Sequence, residues 1–270
     1  ALSNKMIFAL MNAISSACDD NSIKVVIITG AGRGLGQAYA IEAARQGAKV
    51  VAGDILDCGD TASQIQANGG SAIAVEVDVT KMSTVSAMAE SAIDAFGDID
   101  VLVNNAALYG GLTGGRFDQL DEDEWDRCMN VNVKGIWNCC KAVVPHMQNS
   151  GRGSIVNVAS LAATYGLPFV LHYTTSKAAV IGLTRGLARE LGRGNIRVNA
   201  IAPTAVVTEG TAEFFGEKME GAMEVIKNDQ SLRRNPHPED MVGTVIWLAS
   251  DASEFVTGQT ISIDGGTVMS

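Results

Sequence analysis

Apolar runs and amphipathic stretches take turns along nearly the whole chain. Short, almost continuous hydrophobic segments at 24–29, 49–53, 72–77, 99–104, 154–159, 196–201 and 260–263 read as strands. Their lack of polar alternation predicts burial on both faces, as in a parallel sheet. Between them, apolar residues recur at helical spacing over 35–46, 60–68, 82–96, 122–148, 173–192 and 239–249. This strand–helix rhythm predicts an α/β fold, a doubly wound, mainly parallel seven-stranded sheet in three αβα layers with right-handed crossovers. Two stretches depart from it. Met6, Leu10 and Ile14 mark a helical stripe opened by Ser3 and closed by Asp19 and Asp20, so 1–22 is expected to be an extra N-terminal helix. The apolar run in it is too short for an export signal. Residues 205–235, rich in Gly, Glu and Met, are expected to form a mobile cover over a substrate.

Composition narrows the picture. With 270 residues, 47% of them hydrophobic, the chain is long enough for one substantial core, and a single domain over 1–270 is expected. A net charge of −10 argues against a nucleic-acid partner, and no segment approaches the length of a membrane span. The cysteines (18, 58, 128, 139 and 140) are odd in number and contain no C-x-x-C, and the three histidines are scattered. Neither a disulfide framework nor a metal site is expected, and a reducing cytoplasm fits.

Two constellations carry chemistry. The first strand runs into Thr29-Gly30-Ala31-Gly32-Arg33-Gly34-Leu35-Gly36, and a helix follows. Glycines there allow a tight turn and close backbone approach, while the helix N-terminus offers N–H groups to a pyrophosphate. Asp54, ending the second strand, suits the hydroxyls of an adenosine ribose and repels a 2′-phosphate. Arg33 pulls the other way, since a guanidinium pairs with phosphate. Asp54 lies under the ribose, so NAD is expected over NADP.

The second constellation is Tyr173 and Lys177, four residues apart and therefore on one helix face. A free phenol titrates near ~10, and an adjacent cation favours its phenolate form. Ser160, just past a strand, brings a third polar group to the sheet's carboxyl edge. Such a trio suits carbonyl–alcohol interconversion. A Tyr and a Lys at this spacing are more often solvated surface, and the glycine turn upstream is what raises the pair above that.

Taken together these residues resemble the short-chain dehydrogenase/reductase family from about residue 24 to 270. The glycine motif appears as Thr29-Gly-x3-Gly-x-Gly36, and the family's Asp-Val as Asp78-Val79. Its Asn-Asn-Ala-Gly appears as Asn104-Asn105-Ala106-Ala107, and its C-terminal signature as Asp264-Gly265-Gly266. The resemblance implies a Rossmann-type dinucleotide fold and a catalytic tetrad of Asn132, Ser160, Tyr173 and Lys177. Tyr173 would be the general acid or base, and Lys177 would bind the nicotinamide ribose hydroxyls and, with the cationic ring of NAD⁺, lower the tyrosine pKa. Ser160 would hold the carbonyl oxygen, and Asn132 would position a water beside Lys177. It further implies cofactor contacts from Gly30, Arg33, Gly34, Leu35, Gly36, Asp54, Asp78, Val79, Asn104, Asn105, Ala106, Pro203, Val206 and Thr208, with Val206 and Thr208 toward the carboxamide. A homotetramer through 122–148, 173–192 and the last strand is also implied. Residues 1–33 are similar, in addition, to the N-terminal helix–strand of the enoyl-CoA hydratase (crotonase) family, and an ordinary amphipathic helix reads the same way. That family's later active-site segments do not occur, so no hydratase chemistry is carried over.

The substrate walls are expected from 108–117, 161–171 and 205–230, with Tyr109, Leu161, Phe169, Phe214 and Phe215 as pocket residues. Their apolar character suits a hydrophobic, aryl or alkyl, secondary alcohol or its ketone. The stretches 172–184 and 198–208 are similar to NAD-dependent 1-phenylethanol dehydrogenases. The alternative is a 3-oxoacyl-thioester reductase, which would favour a basic entrance, with Arg116, Lys218, Arg233 and Arg234 as candidates. A non-catalytic dinucleotide-binding sensor is a third reading, disfavoured by the intact tetrad.

Overall fold

The computed structural model describes residues 25–269. The helix expected at 1–22 lies outside them. Seven strands, β1 (Val25–Thr29), β2 (Lys49–Asp54), β3 (Ser71–Glu76), β4 (Val101–Asn104), β5 (Gly153–Val158), β6 (Ile196–Pro203) and β7 (Thr260–Ile263), form one sheet. Their order is 3-2-1-4-5-6-7 and every neighbouring pair is parallel, so the expected mainly parallel sheet is wholly so.

The strands are apolar throughout because they feed two cores, and alternate side chains go to opposite faces. On one face Val26, Ile28, Val50, Val103 and Ile201 pack with Tyr39 and Ala43 of α1 (Gly34–Arg45). Met241, Val245 and Leu248 of α10 (Pro238–Ala249) complete that core. On the other face Ile27, Val51, Leu102, Ile155 and Val198 meet Val85 and Met88 of α3 (Met82–Phe96). Val143 and Met147 of α5 (Gly135–Ser150) and Val180 of α7 (Leu171–Leu191) lie in the same cluster. Helix α2 (Gly59–Ala67) packs on the outer strands through Ala62 and Ile65.

One expectation needs correction. The helix expected at 122–148 is interrupted: α4 (Glu122–Met129) passes through a π-helical turn, Asn130–Lys134, before α5 begins. The hydrophobic pattern did not single out that wide turn. Residues 205–235, expected as a cover, carry α8 (Glu209–Phe215) and α9 (Met219–Asp229). Gly210, Gly216 and Gly221 break the helical pattern there. A single turn, α6 (Ala162–Tyr165), follows β5. Among the described residues no helix is long and apolar enough to cross a membrane and no His/Cys/Asp/Glu cluster could hold a metal. Cys58, Cys128, Cys139 and Cys140 are buried free thiols.

Candidate active site

Strand order reverses between β1 and β4, and a cleft of about 790 Å³ opens there at the carboxyl ends of the strands. That is where open α/β sheets bind ligands. Its floor is the glycine turn. Gly30 has a φ of +69°, and a Cβ there would stand 2.8 Å from Asn105 Nδ2. Asn105 donates from Nδ2 to the carbonyls of Thr29 and Gly30, both at 3.0 Å, while Thr29 Oγ1 accepts from the N–H groups of Asn105 and Ala106. Asn104 is buried and donates to Asn157 Oδ1 at 2.9 Å. Asn104 and Gly36 therefore do not line the cleft. Asn104 ties β4 to β5, and Gly36 packs the start of α1 on the turn, leaving no room for a Cβ against the Gly30 carbonyl oxygen.

Whether these residues fit a dinucleotide turns on the groups facing the cleft. The first turn of α1 has no side-chain cap, and Gly34 and Leu35 line the cleft, so its N–H groups suit a pyrophosphate. Asp54 accepts from Gly32 N at 2.9 Å and Leu56 N at 3.1 Å, one donor on each oxygen. A carboxylate offers about four acceptor sites, so capacity remains for ribose hydroxyls. Ile55 and Leu56, 69% and 47% exposed, offer an apolar edge that the sequence reading did not single out. Exposed apolar residues directly after a strand-end acid were the available signal. Val79 lines the cleft, its carbonyl held by Asn138 Nδ2 at 2.9 Å. Asp78 also lines it, although its carboxylate accepts from Thr80 and pairs with Lys81, contacts that lower its pKa. The donor set fits a dinucleotide.

Tyr173 and Lys177 project from the first turns of α7 toward the end of β5. Lys177 Nζ donates to the Val158 carbonyl at 2.8 Å and lies 5.7 Å from the centre of the Tyr173 ring. Ser160 accepts from Ala162 N at 3.1 Å, and its hydroxyl faces the Tyr173 phenol in the cleft. Burial raises the Tyr173 pKa, and the neighbouring Ser160 hydroxyl only partly opposes that. Burial likewise lowers Lys177 to about 8. Desolvation disfavours both charged forms, so without the dinucleotide burial dominates at both groups.

Asn132 sits in the π turn, fully buried, and does not line the cleft. Its Oδ1 accepts from Leu108 N at 2.7 Å, and its Nδ2 donates to Leu108 O at 3.2 Å and Ser176 Oγ at 3.0 Å. Ser176 in turn donates to Tyr173 O at 2.7 Å. The expected water-positioning side chain is thus committed to bracing the segment after β4 against α7. A second brace was missed by the sequence reading. Buried His172 accepts the Tyr173 N–H on Nδ1 at 2.9 Å, which leaves Nε2 to donate to Glu124 Oε2 at 3.3 Å. Glu124 also accepts from Thr113 N at 3.0 Å. No local motif marks that pair, since its members are far apart in the chain.

The substrate side is aromatic. Tyr109 stacks on Phe214 at 4.5 Å and lies 5.2 Å from the Tyr173 ring, and Phe215 meets Phe214 edge-on at 5.1 Å. Tyr109, Leu161 and Phe215 line the cleft, while Phe214 stands behind Tyr109. Phe169 is a correction: its side chain is 66% exposed and outside the lining, because the backbone turns there at a φ of +67°. Pro203 and Val206 line the cleft. Thr208 does too, but its Oγ1 caps α8 by accepting from Thr211 N, so it is not simply free for a carboxamide. Arg33 makes a two-pronged ion pair with Glu213 of α8, joining the glycine turn to the segment above it. None of Arg116, Lys218, Arg233 and Arg234 lines the cleft, whereas Asp54, Asp78, Glu209, Glu213 and Asp229 do. Arg116 pairs with Asp118 and Arg234 with Asp240.

The model of the family described as Enoyl-(Acyl carrier protein) reductase matches residues 30–268. A 3-oxoacyl-[acyl-carrier-protein] reductase FabG of Thermotoga maritima is 40% identical over 248 residues, 91% of this chain and 98% of that protein. Among solved structures, one from Sinorhizobium meliloti named as a short-chain alcohol dehydrogenase has a TM-score of 0.85 at 33% identity. It covers 92% of this chain and 98% of its own. Another, from Beutenbergia cavernae, is named as an NAD(P) dependent gluconate 5-dehydrogenase and holds NADP at low occupancy. Its TM-score is 0.84 at 36% identity, with the same coverage of 92% and 98%.

Proposed function

The chain belongs to the short-chain dehydrogenase/reductase family, and on that premise we propose that it interconverts an apolar secondary alcohol and its ketone with NAD. It is an oxidoreductase of CH–OH and keto groups with a dinucleotide site. Beyond that, one observation carries the reading: the Tyr173 phenol, the Ser160 hydroxyl and the Lys177 ammonium meet in the cleft that the glycine turn floors. When bound, the nicotinamide supplies or accepts the hydride. In reduction, Ser160 holds the carbonyl oxygen and Tyr173 delivers its proton to that oxygen as negative charge develops there. In oxidation, Tyr173 takes the hydroxyl proton. Lys177, buried beside the phenol, stabilises the tyrosinate formed on proton transfer. Asn132, Ser176, His172 and Glu124 act by holding the Tyr173 backbone in place.

Tyr109 and Phe215, backed by Phe214, favour a flat or bulky apolar substituent on the ketone. A second reading, a 3-oxoacyl-thioester reductase, is favoured by the Thermotoga relative. The carboxylates along the cleft count against it, because a carrier-linked or phosphorylated thioester brings its own negative charge. We assign 205–235 as the substrate cover, and place the enzyme, as a homotetramer, in the cytoplasm. The deciding experiment follows nicotinamide absorbance with aryl ketones, alkyl ketones and a 3-oxoacyl thioester, each with NADH and with NADPH. Aryl ketones are expected to give the highest kcat/KM, with NADH. Preference for the thioester would favour the second reading, and no turnover of any ketone would remove both.

A further inference from the structure

We propose that Glu213 selects between the two nicotinamide dinucleotides by occupying Arg33. The inference rests on the dinucleotide site just described. Among the described residues lining the cleft, only Arg33 and Lys177 are basic. Lys177 is committed to the catalytic end, 5.7 Å from the Tyr173 ring centre. Arg33 is therefore the one lining cation at the Asp54 end, where an adenosine 2′-phosphate would have to be neutralised.

That cation is already engaged. Arg33 Nη1 and Nη2 each donate to an oxygen of Glu213, the second at 2.8 Å, in the two-pronged geometry that a phosphate would otherwise claim. The partner is 180 positions away in sequence, on α8. Asp54 and Glu209 also act on the guanidinium, so three carboxylates surround one positive charge. A 2′-phosphate arriving there meets a spoken-for fork and a repelling carboxylate. A ribose with a free 2′-hydroxyl meets neither, and Asp54 keeps acceptor capacity for it. The opposed pulls of Asp54 and Arg33 in the sequence are thus settled by a third residue, outside both motifs.

Because Arg33 and Glu213 are 44% and 46% exposed, the pair is modest in strength and open to exchange. Removing one negative charge within several ångströms of a dianion in a water-like medium is worth roughly tenfold in affinity. The test compares kcat/KM for NADP and for NAD in the wild type, Glu213→Gln, Arg33→Ala and the double variant, alongside calorimetric binding of NADP without a second substrate. Glu213→Gln is expected to raise the NADP/NAD ratio about tenfold and to tighten NADP to a similar degree. In the Arg33→Ala background only the direct repulsion by Glu213 is left to remove, so the same change should raise the ratio clearly less than in the wild type. An unchanged ratio in Glu213→Gln, or an equal gain without Arg33, overturns the proposal. A general loosening of the segment over the cleft would move both dinucleotides together and leave the ratio unaltered, which also counts against it. A wild type that prefers NADP contradicts the NAD reading alone, since the ratio change on Glu213→Gln still reports on Glu213.

Discussion

The two ends of the cleft are made of different material. At the dinucleotide end the surface is mostly backbone, fixed by Thr29, Asn105 and the glycine packing on strands that are buried on both faces. At the substrate end it is side chains: Tyr109, Leu161 and Phe215, carried on short helices and loops. Backbone geometry tolerates almost no change, whereas side chains on short helices exchange freely. An architecture of this kind keeps the redox partner constant and lets the substrate vary. Tyr173 stands where the two ends meet, which is why it is braced from behind by both His172 and Ser176.

The largest effect should follow from cutting at that junction. Tyr173→Phe removes the proton donor while keeping the ring that packs against Tyr109. Turnover is expected to fall ~10²–10⁴-fold, the usual worth of a positioned acid or base, with dinucleotide affinity nearly intact. Steady-state kinetics paired with fluorescence titration separates the two, and retention of most kcat would dispose of the acid–base role.

The lysine behind it comes next. An ordinary lysine titrates near ~10.4, but Lys177 is held at about 8 by burial. Its folded-state pKa is depressed, so the unfolded chain binds that proton more tightly. This group's contribution to stability is present above the unfolded pKa and is lost as pH falls toward about 8. Tyr173, raised by burial, works in the opposite sense: its contribution is present below pH ~10 and is lost as pH rises toward its folded value. In ¹³C-lysine NMR of the protein without dinucleotide, one resonance should titrate near pH 8 and vanish in Lys177→Met. If every lysine titrates in the ordinary range, the buried-ammonium description fails.

How the two ends were legible in the sequence follows the same divide. The turn could be read because its function needs glycines at fixed steps beside a buried strand, and Tyr173 with Lys177 because helical spacing alone puts them together. Strand β7 was expected at 260–263 and occupies those residues. The π turn was not readable, since nothing in Asn130–Lys134 changes the apolar rhythm. The bracing role of Asn132 went with it, because that depends on meeting Leu108 across the fold. The His172–Glu124 and Arg33–Glu213 pairs join distant segments, and a polar residue reveals no partner until the sheet sets the distances.

One substitution made at both ends gives a direct contrast. In Gly36→Ala the new methyl overlaps the Gly30 carbonyl, and the turn must open. A cost of about 1–3 kcal/mol is expected, with weakened dinucleotide binding. In Gly221→Ala, within α9, nothing lies within 4 Å of the new methyl. There the change should stabilise by about 0.5–1 kcal/mol, since alanine loses less freedom on entering a helix. Thermal unfolding of the two variants checks the signs, and equal responses would erase the distinction between a fixed floor and a permissive cover.

A small effect, confined to stability, is expected at Phe169, which the sequence reading placed in the pocket. Its φ of +67° belongs to the left-handed region, unfavourable for a side chain of this kind. The conformation persists because the neighbouring loop holds it: Gly115 donates to the Phe169 carbonyl at 2.8 Å, and a Cβ on Gly114 would stand 3.3 Å from the same oxygen. With the ring 66% exposed, little packing is lost on its removal. Phe169→Gly should therefore relieve strain at unchanged kcat/KM and stabilise by about 1 kcal/mol, a small upward shift in Tm. A marked loss of activity would return the ring to the substrate wall.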